Sequence, residues 1–286
     1  MHGLFRIMMA GLLAAMPVGL AAAPQRIVSL HMCADQYLIA LADPGQIAAL
    51  TIYARDPAMS YYAERAKAFR TTRRSAEEVA ALKPDLIVGV PWRQRHSLDL
   101  LDRSGVRMID LPKADGLAST EETITAIAEA VGHPERGRAL IASIRARLAG
   151  LGTPPGRGRI AAYYQRRGFL TGTGTLMDEM MGRAGLVNLA GRLDKSKLSR
   201  LSVEELAIAR PDFLIVDAST ARVADKGTEM MHHPVLDRAI PPAHRLYIPQ
   251  ALTLCGGPAY PEAVEMIAAQ IRAADRVTRS GERMSR

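Results

Sequence analysis

The sequence predicts an α/β protein of two lobes, each with a mainly parallel sheet flanked by helices, joined by one long connecting helix. Three observations carry that prediction. A phrase is written twice: residues 77–90 read EEVAALKPDLIVGV and residues 204–217 read EELAIARPDFLIVD, so Glu77, Glu78, Pro84 and Asp85 recur as Glu204, Glu205, Pro211 and Asp212. Apolar runs without polar alternation, the pattern of strands buried on both faces, take turns with helical segments in both halves. Between the halves, residues 119–151 read as helix with no strand, and the Gly/Pro cluster GTPPGRGR comes next as a boundary.

At the N-terminus, Arg6 precedes the apolar run IMMAGLLAAMPVGL and then Ala21, Ala22 and Ala23: a basic start, an apolar core and a small-residue cleavage site. Residues 1–23 are therefore expected to be a cleavable secretory signal. Gly residues and Pro17 interrupt a run that is short for a bilayer span. The first lobe is expected over 24–133. In it RIVSL (26–30) is a strand, 33–44 a helix stopped by Asp43 and Pro44, IAALTI (47–52) a second strand, and 53–69 a long loop with at most one helix. The first copy of the phrase is next. Its acidic first turn suits the positive end of a helix dipole, Pro-Asp stops the helix, and the next strand runs to Val90. After the loop PWRQRH come a helix (97–105) and a strand (106–112).

A Ser/Thr cap with two Glu opens the helical stretch at Ser119, and residues 134–150 form the connecting helix. The second lobe, 151–275, starts with a strand at 159–164 and a loop QRRGFLTGTG, then a helix from Thr175. The second copy of the phrase, a short helix at 235–239, a strand at 245–249 and a closing helix complete it. The basic tail 276–286 is expected to fray.

With 48% hydrophobic and 23% charged residues the chain falls among globular proteins. The net charge of +8 is spread along the chain without a Lys/Arg block or zinc-finger spacing, so nucleic acid is not an expected partner. Anionic ligands or an anionic membrane face suit it better. Cys33 and Cys255 are the only cysteines, too few for a disulfide scaffold; one bridge or two free thiols both stay open.

The Pro-Asp phrase in each half, the connecting helix, the segment HPVLDRAI…RLYIP and the closing helix together resemble a family. Over nearly all of residues 24–275 the chain is similar to the periplasmic binding proteins of the iron-complex and cobalamin type, the helix-hinged class that serves ABC importers. That resemblance implies a ligand cleft between the lobes and a non-enzymatic periplasmic monomer with no cofactor of its own. Its cargo would be a ferric siderophore, haem or cobalamin. It would deliver this to a membrane permease dimer driven by a cytoplasmic ATPase. The resemblance also implies that one Glu on each lobe docks against permease Arg residues. Glu77 and Glu204, which open the helix before each Pro-Asp, match those positions, with Glu78 and Glu205 beside them. The helix start and the strand end would then lie at opposite ends of the repeated unit.

Ligands of open α/β sheets bind outside the carboxyl ends of the strands. That rule puts Tyr53, Arg95, Gln165, Arg167, Asp217, Ser219 and Gln250 at strand ends and nominates His31, Met32, Arg55, Trp92, Arg93, Tyr164, Arg166 and Tyr260 as ligand-binding residues, with Cys33 and Cys255 also at strand ends, one per lobe. Aromatics and guanidinium groups suit a large flat or anionic metal complex. His31 with Tyr164 or Tyr260 would make a haem axial pair. Two other readings compete. A zinc- or manganese-binding protein of the same architecture needs three or four converging His, Asp or Glu, and His31 stands almost alone; His232 and His233 are adjacent on a turn without a third ligand. An exported α/β enzyme needs a paired base and nucleophile, and none is evident, so no catalytic residue is expected.

Overall fold

The computed structural model describes residues 22–89, 105–221, 223 and 225–284. Strands β1 (Ile27–Ser29), β2 (Ile47–Thr51), β3 (Thr71–Thr72), β4 (Leu86–Val88) and β5 (Arg107–Ile109) form an all-parallel sheet in the order β3-β2-β1-β4-β5. Every residue of β1 and β4 is buried, as their unbroken apolar runs require. Alternation assigns each strand residue to one of two cores: Leu86 and Val88 join one cluster, Ile87 the other. The sheet is thus covered on both faces.

The second sheet contains β6 (Ile160–Gln165), β7 (Phe169–Thr171), β8 (Val187–Asn188), β9 (Leu198–Arg200), β10 (Phe213–Asp217) and β11 (Arg245–Ile248). Its order is β11-β10-β6-β7-β9, with β8 beside the start of β6. Strands β6, β8, β10 and β11 run parallel, and β7 is antiparallel to both β6 and β9. Again alternation splits a buried strand, with Phe213 and Ile215 in one core and Leu214 and Val216 in the other. Residues 165–174, expected as a loop, contain β7. Arg167 and Gly168 take left-handed conformations, which turns the chain tightly enough for β7 to fold back on β6. The short strands β3, β8 and β9 carry no apolar run and leave no signal in the sequence.

The repeated phrase has a structural use in both halves. Asp85 accepts the amide protons of Gln25 and Arg26 just ahead of β1, at 2.6 and 3.0 Å, and Asp212 accepts that of Ile160 at the start of β6, at 2.7 Å. Each Pro-Asp therefore ends its own helix and fixes where the lobe's first strand begins.

Between the sheets, helices Leu117–Ala130 and Pro134–Ala149 form an antiparallel hairpin. Gly137 lets them approach, since a Cβ there would lie 2.6 Å from that of Ala128. Leu148 near the end of the second helix packs against cores of both lobes. Arg147 on the same helix grips Glu265 of the closing helix through two hydrogen bonds of 2.8 and 2.6 Å. That closing helix, Tyr260–Met284, runs as far as Met284 into the segment 276–286 expected to fray. The Arg and Glu there are good helix formers, and Thr278 and Ser280 hydrogen-bond back to the carbonyls of Ala274 and Arg276. Among the described residues no helix is long and apolar enough to cross a membrane.

Filling the hairpin contact tests this packing. Gly137→Leu should lower stability by about 1–3 kcal/mol through overpacking, read as an earlier urea midpoint.

Candidate functional site

Because β1, β4 and β5 are parallel, their carboxyl ends meet at one edge, and a cavity of about 440 Å³ opens there. His31 and Gly89 come after β1 and β4, Lys113 lies beyond β5, and Cys33, Tyr37 and Cys255 complete the part of the wall that bears on chemistry. Gly89 has φ +81° and a Cβ there would sit 2.7 Å from that of His31, so only glycine lets the two strand ends lie side by side. His31 is the N-cap of helix Met32–Leu41: its Nδ1 accepts the amide proton of Cys33 at 3.2 Å. Burial first, and the Arg74 charge second, hold its pKa below the usual histidine value.

Behind this wall Asp35 is completely buried and accepts hydrogen bonds from the amide and hydroxyl of Thr51 at 3.0 and 2.6 Å. Desolvation dominates these favourable contacts and pushes its pKa up to about 6.

Cys33 and Cys255 are joined in a disulfide across 222 residues of sequence, one cysteine from each lobe. The turn that carries Cys255 is shaped for close approach. Gly256 and Gly257 both have positive φ, and a Cβ on Gly256 would lie 2.6 Å from Thr120 Oγ1. Tyr37, one turn after Cys33, donates its hydroxyl proton to the Cys255 carbonyl at 3.2 Å. Two further hydrogen bonds cross between the lobes: Glu179 accepts the Leu117 amide proton at 2.8 Å, and Tyr61 donates to Glu262 at 2.8 Å.

A second cavity of about 350 Å³ shares Lys113, Ala114 and Leu254 with the first, so the two adjoin, with wall residues from both lobes. It extends to the carboxyl end of β6, where Tyr163, Gln165, Thr171, Lys197 and Gln250 face it. Asp115 lies between two lysines, 2.9 Å from Lys113 and 3.9 Å from Lys197 of the other lobe. The wall is thus rich in hydrogen-bond donors, with cationic charge at the junction of the two cavities. Among the described residues no group of three or more His, Cys, Asp or Glu is placed to hold a metal ion.

The strand-end rule selects part of this wall and misses the rest. His31, Cys33 and Cys255 line the cleft; Met32 is half-buried at the start of the same helix but is not part of the wall. Tyr164 is fully buried, and its hydroxyl donates to the Leu201 carbonyl at 2.8 Å. It points to the opposite face of β6 from Tyr163 and Gln165, a consequence of strand alternation. Tyr260 is also fully buried, its hydroxyl accepting from Arg183 at 2.9 Å. No axial pair of His31 with either tyrosine is assembled. Arg166 pairs with Asp225 at 2.9 Å, and Arg55 binds the Phe69 carbonyl; neither lines the two cavities. Trp92 and Arg93 lie outside the described residues. Tyr37 was within reach of sequence reasoning, one helical turn from Cys33. Lys113 was too, just past a strand end. Lys197 comes from the short antiparallel strand region and had no sequence signal.

On each copy of the repeated phrase the two glutamates divide. Glu205 accepts the Ser202 amide proton at 2.8 Å and completes the capping box of its helix, whereas Glu78 accepts that of Arg73, two residues before the N-cap Ser75, at 2.8 Å and ties the helix to the chain leading into it. Glu77 and Glu204 are exposed, as is Glu205, and hydrogen bonds with its own backbone and with Ser75 hold the Glu77 carboxyl below its usual pKa. Contrary to the expectation of opposite ends, the helix start and the strand end share an edge, because a helix returns antiparallel to the strand it leads into. Arg74, just before helix Ala76–Ala81, donates to the carbonyl of Leu30 at the end of β1, at 3.3 Å. Likewise Leu201, just before helix Val203–Ala209, accepts from Tyr164 of β6.

Residues 27–243 match the family described as periplasmic binding protein. No curated protein matches the chain in sequence. In fold it is similar to the periplasmic haem-binding protein RhuT from Roseiflexus sp. RS-1 in its apo form, with 24% identity, 87% of this chain and 99% of that chain covered, and a TM-score of 0.68. It is similar to the haem-binding protein HutB of Vibrio cholerae at 19% identity, 86% and 98% coverage and a TM-score of 0.72. The vitamin B12 binding protein BtuF of Vibrio cholerae shares 18% identity over 88% and 98% of the two chains, with a TM-score of 0.67. The match over most of its length shows that the chain belongs to the periplasmic binding protein family, whose members bind solutes and are not enzymes.

Two measurements probe the site's framework. The double variant Cys33→Ser, Cys255→Ser should lose about 2–5 kcal/mol of stability in urea denaturation, and dithiothreitol should bring the wild type to the same midpoint. Asp35 holds its proton more tightly folded than unfolded, so its contribution falls as pH rises and is fully unfavourable above about 6. The wild type should therefore gain about 1 kcal/mol on going from pH 7 to pH 5, a gain absent from Asp35→Asn.

Proposed function

We propose that this member of the periplasmic binding protein family is the solute-binding component of an ABC importer. It takes a small-molecule metal complex (a ferric siderophore, haem or cobalamin) in the cleft between its lobes and delivers it to the membrane permease. The observation that carries this reading is the position of the cleft: two adjoining cavities at the carboxyl ends of the strands of both sheets, with wall residues from each lobe. The haem- and vitamin B12-binding proteins that share the fold support the same class of cargo.

Residues 1–23 act as the cleavable signal, 24–133 and 151–275 as the two lobes, and 134–150 as the helix between them. A periplasmic location agrees with the disulfide, which persists in an oxidising compartment. Glu77 and Glu204 serve as the docking carboxylates. Their exposure supports this.

Isothermal titration of the mature chain against ferric siderophores, haem and cobalamin should give one site for at least one of them. No binding by any member of the panel would overturn the reading. With the ligand in hand, Glu77→Lys combined with Glu204→Lys should abolish uptake in cells and leave the affinity within about twofold, since neither carboxylate lines the two cavities. An equal fall in affinity would contradict the docking role.

A further inference from the structure

We propose that His31 meets the ligand as a hydrogen-bond donor through Nε2–H rather than as a metal ligand. The cleft would then take a complex whose own atoms already fill the metal's coordination sphere and whose periphery carries acceptor oxygens. The inference rests on the solute-binding reading above and narrows its cargo.

The contact at Nδ1 fixes the tautomer. A backbone amide can only donate, and the Cys33 amide points at Nδ1 from 3.2 Å, so the Nδ1 lone pair is committed to that bond. The one proton of a neutral imidazole then sits on Nε2. To bind a metal through Nε2, the ring would have to move that proton to Nδ1. Donor would face donor at the Cys33 amide, and the helix would lose its cap. Burial, with Arg74 nearby, keeps the ring neutral, so the single-proton tautomer is the relevant one. The ring makes no other hydrogen bond among the described residues, and it lines the cavity, so Nε2–H is available to a ligand.

The other groups on the same wall that could ligate a metal are engaged as well. The Cys33 and Cys255 sulfurs are bonded to each other. The Tyr37 hydroxyl donates to the Cys255 carbonyl, and burial raises its pKa strongly, which disfavours a phenolate. What this wall offers are donors and a cation: Nε2–H of His31 and the ammonium of Lys113. Those groups recognise carboxylate, amide or hydroxamate oxygens on the outside of a complex and leave the metal untouched.

Two substitutions separate this role from a purely structural one. Asn is a good N-cap but cannot reach where Nε2 lies, so His31→Asn should keep the wild-type melting temperature, while His31→Ala should lower it. With ferric desferrioxamine, cyanocobalamin and hemin as probes, the wild type should bind a saturated complex whose visible spectrum stays that of the free complex. Both variants should weaken that binding about three- to tenfold, as expected for one lost hydrogen bond. Two results would overturn the assignment: a shifted hemin Soret band that disappears in His31→Ala, or wild-type affinity in His31→Asn. Failure of the wild type to bind any probe would instead remove the solute-binding reading itself, and this inference with it.

Discussion

Parallel pairing is the constraint on which the rest depends. In the first sheet β1 pairs in parallel with β2 and β4, and in the second β10 pairs in parallel with β6 and β11. Parallel strands need a crossover for every return, and among the described residues the crossovers carry helices that cover the sheets. The same geometry gathers the strands' carboxyl ends at one edge per lobe, where the chain leaves the sheet with unpaired backbone and freely chosen side chains. The cleft consists of those two edges facing each other. Nothing in its wall requires a special fold beyond that; His31, Gly89 and Lys113 simply lie past the ends of β1, β4 and β5.

The parts of the architecture that were legible in the sequence are those where burial writes a pattern. β1, β4, β6 and β10 are unbroken apolar runs because both faces are covered, and the two copies of the Pro-Asp phrase announce two related lobes. The short strands β3, β8 and β9 were not legible. With two or three residues each, they owe their pairing to neighbours and not to their own composition. The hairpin of β6 and β7 hid behind Arg167 and Gly168, since a left-handed arginine has no signature of its own.

The site was half legible for a related reason. Position along a strand says which residues reach the cleft edge, and it found His31 and both cysteines. It does not say which face they take. Tyr164 and Tyr163 are neighbours in sequence and point oppositely, so Tyr164 packs in one core, while Tyr163, buried in the other, reaches the cavity from there. Tyr260 shows the same limit: near the cleft in the chain, it spends its phenol on Arg183 inside the second lobe. Aromatic residues close to strand ends serve packing as readily as recognition, and only the register of the finished sheet separates the two.

The bridge between Cys33 and Cys255 also shapes how the chain matures. One cysteine lies near the start of the first lobe and the other near the end of the second, so seating the two lobes against each other brings their sulfurs together. Because the chain has two cysteines, a single intramolecular pairing exists. Oxidative folding then needs an electron acceptor but no reshuffling of wrong bridges, and closing the bond records that the two halves have been correctly assembled.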